Sequence, residues 1–85
     1  MKTFEHVVKD ELGIHARPAG VLAKEAKNFQ STITIVKGEK KAEAARLMAV
    51  MSLGVKKDDL VTVNVEGEDE EAAFEAVKKF FEENL

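Results

Sequence analysis

A histidine and an arginine two residues apart, His15 and Arg17, have the chemistry and the surroundings that phosphoryl transfer requires. Gly13 makes a turn before His15, and Pro18 follows Arg17 in the predicted first turn of a helix, where its missing N–H costs nothing. The first N–H groups of a helix have no partners within it, and the helix dipole attracts anions to this end. Arg17 adds a planar fork of donors for phosphate oxygens. The stretch therefore predicts a phosphate site beside His15.

The neutral imidazole of His15 is the candidate nucleophile. The positive helix end and Arg17 both disfavour the charged ring, so a ring nitrogen keeps the lone pair that attack on phosphorus needs. The product would be a phosphohistidine whose oxygens rest against the first helical turn, at Ala16, Arg17 and Pro18. From the residue types alone an alternative stays open: His15 only caps the helix or lies idle on the surface.

Alternating and helical patterns predict the elements that position this site. Apolar residues alternate with polar ones, as in strands, over residues 2–9, 32–37, 40–44 and 60–66. Helical spacing covers residues 16–28, 46–53 and a segment that begins after Asp69, a good N-cap. The order β-α-β-β-α-β-α predicts an α+β fold in which three helices cover one face of a four-stranded antiparallel sheet. The right-handed crossover rule makes the first two strands parallel, with the fourth between them.

The predicted second helix is apolar on nearly every side. Eight residues at one end of a small sheet cannot bury every large apolar side chain of this segment, which are Leu47, Met48, Val50, Met51 and Leu53. Part of the set is therefore expected to form an exposed apolar patch, and methionine suits a surface that repacks against several partners. The alternative is that all five belong to the core.

Composition excludes several classes of function. The 85 residues suffice for one domain, residues 1–85, and include no cysteine, which excludes disulfides and thiol catalysis. No stretch is apolar enough to insert into a membrane and no signal peptide precedes the first strand, so a cytoplasmic protein is expected. His6 has no partner at a metal-ligand spacing, and neither a metal nor an organic cofactor is predicted.

The charge is distributed unevenly along the chain. Residues 1–65 carry eleven basic and eight acidic side chains, whereas residues 66–85 carry two basic and eight acidic ones. This balance, with no tyrosine or tryptophan, argues against nucleic-acid binding and favours an acidic protein partner for the basic face.

The motif Gly13–Ala19 resembles the active-site motif of the HPr family, the histidine-containing phosphocarriers of the bacterial phosphoenolpyruvate:sugar phosphotransferase system. The similarity continues, in matching order, through Leu22–Lys27, Met51–Val55 and Glu66–Glu70 and covers essentially the whole chain. It implies an open-faced β-sandwich with sheet order 1-4-2-3 and a carrier that is not an enzyme. It also implies phosphorylation of His15 on the pros nitrogen, phosphate binding by Arg17 and helix opening by Pro18.

The resemblance implies partners as well. Enzyme I would donate the phosphoryl group and sugar-specific enzyme IIA domains would accept it, with the carrier acting as a monomer. The docking surface is predicted to comprise residues of the first two helices, namely Gly20, Lys24, Lys27, Arg46, Leu47, Met48 and Met51. Gly20 either allows a partner protein to approach the helix closely or is a small residue that the helix tolerates. The alternative function is an HPr-like regulatory module that docks without transfer, and a small RNA- or metal-binding domain is disfavoured.

One position departs from many relatives. Arg46 stands where many family members have a serine that a dedicated kinase phosphorylates. Regulation through a phosphoserine is therefore predicted to be absent here. Ser52 is a poor substitute, because a phosphate there would face the negative end of the second helix. The sequence leaves open which sugars are served and whether the branch is the sugar system or a nitrogen-related parallel.

Overall fold

The computed structural model describes residues 1–85 and contains the predicted order of elements. These are β1 (Lys2–Val7), α1 (Ala16–Ala26), β2 (Thr32–Lys37), β3 (Lys40–Glu43), α2 (Leu47–Ser52), β4 (Leu60–Glu66) and α3 (Glu70–Asn84). The strands form one sheet in the order β1-β4-β2-β3, and every neighbouring pair is antiparallel. The predicted topology is thus confirmed, with β4 between the mutually parallel β1 and β2.

The core lies between one face of this sheet and the three helices. Val61, Val63 and Val65 alternate along β4 and are fully buried, because successive side chains of a strand point to opposite faces. Leu22 of α1 and Phe81 of α3 are also fully buried and cover these valines. None of the helices has the length and apolar character needed to cross a membrane.

The inner side of β1 packs under α3 through aromatic rings. Phe81 makes edge contacts with the rings of Phe4 and His6, at centroid distances of 5.6 and 5.4 Å. The His6 Nε2 atom is buried without a hydrogen-bond partner. His6 is therefore a packed strand residue.

Several elements end earlier than predicted. The first strand ends at Val7 and not at residue 9, because the pairing with β4 becomes irregular at Val8. The Val8 N–H donates to the carbonyl of Asp59, whereas its own carbonyl accepts from Asp58, a residue with a left-handed backbone (φ 74°). The first helix ends at Ala26 and not at residue 28, because Asn28 and Phe29 donate to carbonyls only three residues back, as in a tightened last turn.

Two further end residues differ from the prediction. Strand β3 ends at Glu43, one residue early. Arg46, predicted as the first residue of the second helix, is its N-cap, with an extended backbone (φ −109°, ψ 95°). Differences of one or two residues are common at element ends, where the hydrogen-bond pattern changes gradually.

Asp69 occupies the predicted N-cap position of α3, but its side chain does not cap the helix. Its carboxylate accepts hydrogen bonds from the backbone N–H groups of Gln30 and Ser31, both at 2.9 Å, and from the Ser31 hydroxyl at 2.5 Å. These bonds, led by the one from the hydroxyl, lower the pKa of Asp69. The side chain thus ties the start of α3 to the turn between α1 and β2, a tertiary role that takes the place of capping.

Candidate functional site

The loop that carries His15 lies directly against the segment between α2 and β4. Gly13 has φ +67°, and a β-carbon there would lie 2.1 Å from the carbonyl oxygen of Val55. The Ile14 N–H donates to that same oxygen at 3.2 Å, and the Ile14 side chain is buried. Only glycine tolerates both this backbone angle and this approach, so residue 13 determines how closely the loop is seated.

Asp10 anchors the other end of the loop. Its carbonyl accepts the Gly13 N–H at 2.9 Å, and its Oδ1 accepts the Leu12 N–H at 2.8 Å. The backbone N–H groups of Lys9 and Asp10 donate to the carbonyl oxygen of Leu85, at 2.5 and 3.1 Å. The loop is therefore held by both the 54–59 segment and the end of α3.

His15 is the N-cap residue of α1, but its side chain makes no capping hydrogen bond. Its carbonyl accepts the Ala19 N–H at 3.0 Å, which starts the helix, and the side chain is 34% exposed. The interpretation that the His15 side chain serves as a helix cap is therefore wrong. The imidazole is accessible and is not occupied by a structural hydrogen bond.

Two backbone donors of the first helical turn have no partner in the protein. The N–H groups of Ala16 and Arg17 donate to no acceptor in the chain, and Pro18 has no N–H. The Arg17 side chain is exposed and takes part in no ion pair. The structure thus brings His15, two unpaired N–H donors and an unpaired guanidinium together at the positive end of α1, an arrangement that suits a phosphoryl group.

An open groove beside His15 separates α1 from α3. Its lining includes Asp10, Arg17 and Val21 on one side and Lys79 and Phe80 on the other. No group of three or more histidine, aspartate and glutamate side chains here or elsewhere in the chain could hold a metal ion.

The predicted docking residues lie on two helices that pack against each other. The α1 residues Arg17, Gly20 and Lys24 and the C-cap residue Lys27 follow one another at spacings of three and four residues, so they share one face. Lys24 and Lys27 are exposed, and a β-carbon at Gly20 would meet nothing within 4 Å. The missing side chain of Gly20 therefore serves no packing within the chain.

Helix α2 contributes the apolar part of this surface. Met48 is 73% exposed and Met51 37% exposed, whereas Val50 and Leu53 are buried and Leu47 is partly buried. The prediction of an exposed apolar patch is confirmed, and the alternative that all five residues are core is wrong. Arg46 is exposed at the start of the same helix.

The contacts that support the His15 loop from below have no local signal in the sequence. In the charged turn of residues 56–59, Asp59 pairs with Lys37 at 3.0 Å and accepts the Lys56 N–H at 2.8 Å. Lys37 also donates to the carbonyl of Gly54 at 2.9 Å. The Lys56 N–H first, and then Lys37, lower the pKa of Asp59. Both ends of the segment that contacts Gly13 are therefore tied to the end of β2.

Comparisons with known proteins agree over nearly the whole chain. Residues 2–83 match a family model described as the phosphorylation site of the PTS HPr component. The phosphocarrier protein HPr of Mycoplasma capricolum is 40% identical over 79 residues, 93% of this chain and 89% of that protein. The solved structure of a mycoplasma histidine-containing phosphocarrier protein gives a TM-score of 0.90 at 39% identity, covering 93% and 90% of the two chains. An HPr dimer from Thermoanaerobacter tengcongensis gives 0.76 at 38% identity, covering 98% and 95%.

Proposed function

The chain belongs to the HPr family of phosphotransferase-system phosphocarriers, which are not enzymes, and from this membership we propose that His15 carries a phosphoryl group from enzyme I to enzyme IIA domains. The observation that supports this role is the position of an accessible imidazole beside the unpaired N–H groups of Ala16 and Arg17. The transfer takes place in the cytoplasm.

The chemistry of each step is a displacement at phosphorus. A lone pair on the His15 ring forms the new N–P bond while the bond from phosphorus to the donor histidine of enzyme I breaks, and its electron pair returns to the donor ring. The phosphoryl oxygens then accept hydrogen bonds from the Ala16 and Arg17 N–H groups and from the guanidinium. Transfer to enzyme IIA repeats the displacement with His15 as the leaving group, and no metal or cofactor takes part.

The accessible position of His15 supports a carrier that works through its partners. The groove beside His15 is open and does not enclose a small molecule such as phosphoenolpyruvate. The donor and acceptor proteins must therefore approach His15 closely enough to exchange the phosphoryl group. The docking surface consists of an apolar centre, Leu47, Met48 and Met51, with a basic rim of Lys24, Lys27 and Arg46, around Gly20. Transient docking of this kind needs only the monomer, although one relative has been crystallised as a dimer.

Mass measurement after incubation with phosphoenolpyruvate and enzyme I tests the proposal. The chain should gain one phosphoryl group that is lost in acid and stable in alkali, and His15→Ala should abolish the gain. His6→Gln is the matched control, because it changes the other histidine and should leave the gain intact. A mass gain that persists in His15→Ala, or that resists acid, would contradict the proposal. Docking on partners without any mass gain would favour the regulatory module instead.

A further inference from the structure

Asp10 is the acidic group that faces the His15 ring. Its Oδ2 lies 3.9 Å from the His15 Nε2, and this is the one ion-pair contact that the imidazole makes. The other oxygen, Oδ1, accepts the Leu12 N–H at 2.8 Å. One oxygen of the carboxylate is thus fixed to the backbone, and the other is left for the ring.

The backbone around Asp10 gives this side chain little freedom. Its N–H donates to Leu85 and its carbonyl accepts from Gly13, so both sides of the residue are hydrogen-bonded. The two side chains are partly shielded from solvent, with 30% of Asp10 and 34% of His15 exposed. The other acidic groups of the groove, Glu25 and Glu83, form no ion pair with the ring, and the cations Arg17 and Lys79 also line the groove.

A neutral imidazole carries one proton, on either Nδ1 or Nε2, and only the other nitrogen has a lone pair for attack. A carboxylate accepts hydrogen bonds and donates none. Asp10 therefore favours the tautomer with its proton on Nε2. At 3.9 Å the contact is longer than a hydrogen bond, but such contacts in a resting site often shorten when the reacting complex forms.

We propose that Asp10 is a positioning residue for phosphoryl transfer: it holds the ring proton of His15 on Nε2 and so presents Nδ1 to phosphorus. This inference rests on the proposed function. In the step itself the Nδ1 lone pair forms the N–P bond, the bond to the donor nitrogen breaks, and no proton moves. Because Nε2 keeps its proton, the ring becomes positive, and the Asp10 carboxylate offsets that charge.

Two substitutions separate this role from a purely structural one. Asp10→Asn keeps an oxygen for the Leu12 N–H, but it turns an amide donor toward Nε2, which favours the proton on Nδ1 and blocks the nucleophile. Asp10→Ala removes the loop anchor and the ring contact together. If Asp10 only anchors the loop, Asp10→Asn should transfer at the normal rate. If Asp10 sets the tautomer of His15, Asp10→Asn should transfer more slowly than Asp10→Ala.

The experiment combines nitrogen NMR of the resting protein with transfer kinetics. At alkaline pH, where imidazoles are neutral, the ¹⁵N shifts of His15 should show mainly the Nε2–H tautomer in the unaltered chain and a larger Nδ1–H share in Asp10→Asn. Transfer from enzyme I should slow by roughly three- to tenfold in Asp10→Ala, the scale of a partly exposed ion pair, and by more in Asp10→Asn. Glu11→Gln, an exposed acid next to Asp10, should change neither measurement.

The proposal would be overturned if Asp10→Asn transferred the phosphoryl group as fast as the unaltered chain, or if its His15 shifts were unchanged. Slow transfer in Asp10→Ala alone, with normal transfer and unchanged shifts in Asp10→Asn, would assign Asp10 to loop anchoring alone. Melting curves check that each variant is folded, and Asp10→Asn keeps the test valid if the alanine variant unfolds. The NMR measurement uses unphosphorylated protein, so absence of His15 phosphorylation would refute the proposed function without being mistaken for failure of this inference.

Discussion

Replacing Gly13 with alanine tests whether close packing of the His15 loop against the 54–59 segment is needed for stability and for phosphoryl transfer. The added β-carbon would lie 2.1 Å from the Val55 oxygen and 2.7 Å from the Lys56 Cα. Both are backbone atoms, so no side-chain rotation relieves the contact. The loop and the segment must therefore move apart by roughly 1.5 Å to reach ordinary contact distance.

Gly38→Ala is the matched control for this change. Gly38 has φ +59°, close to the +67° of Gly13, but nothing lies within 4 Å of its added β-carbon. The cost of a left-handed alanine, about 1–2 kcal/mol, is common to both variants and cancels in their difference. What remains for Gly13 is the steric contact, about 1–3 kcal/mol as for overpacking, with weakening of the bond from Ile14 to Val55, which contributes about 1 kcal/mol.

Thermal unfolding and transfer kinetics compare the stability and the transfer rate of the two variants. Gly13→Ala should be less stable than Gly38→Ala by about 2–4 kcal/mol, and each kcal/mol lowers the melting temperature of a domain this size by roughly 4–8 °C. At a temperature where both are folded, Gly13→Ala should accept the phosphoryl group at least about tenfold more slowly, because ångström-scale misplacement can cost about a hundredfold. Equal melting temperatures, or undiminished transfer by folded Gly13→Ala, would refute this account of the loop.

Four further changes test other parts of the structure. Arg17→Ala should slow transfer by about a hundredfold with melting unchanged, because the exposed guanidinium acts on the phosphoryl group and not on the fold; a large loss of stability with intact transfer would reverse this assignment. Charge reversal at Lys24 and Lys27 should weaken binding to enzyme I in low salt, and titration calorimetry should find a smaller difference in high salt. The free energy of unfolding of Asp59→Asn should fall less on acidification than that of the unaltered chain. The lowered carboxyl pKa of Asp59 stabilises the fold at pH values above the unfolded pKa of about 4, and this stabilisation is lost as the pH falls through the folded pKa. Incubation with ATP and an HPr kinase should leave the mass unchanged, whereas Arg46→Ser should create a substrate.

The fold was predictable because its elements carry local periodic signals. Val61, Val63 and Val65 alternate along β4 and are all buried, as a half-buried strand requires. The exposed methionines of α2 were predictable for a different reason, since a six-residue helix at a sheet end cannot bury residues on every side. The position of His15 at the start of α1 also followed from local signals, the glycine turn and Pro18.

The contacts that hold the site were not predictable, because they join residues far apart in the chain. Nothing in the local pattern of Lys37 indicates that it bonds to Gly54 and Asp59, and nothing around Asp69 indicates that its carboxylate turns from its own helix to Ser31. No local pattern singles out Asp10 either. Its relation to the ring depends on the turn that Gly13 makes against Val55, which is a property of the assembled fold.

The division between fixed and exposed groups suits the proposed exchange of a phosphoryl group with two partners. Buried or hydrogen-bonded residues, Asp10, Gly13 and Ile14, fix the backbone before the helix, so the ring is positioned before any partner arrives. The Ala16 and Arg17 N–H groups lie at a helix end, where water can solvate them at little cost until a phosphoryl group replaces it. An enclosed site would bind the phosphoryl group more strongly, but it would exclude both the donor and the acceptor. Moderate stabilisation on a hydrogen-bonded, accessible turn would keep the group bound and still transferable.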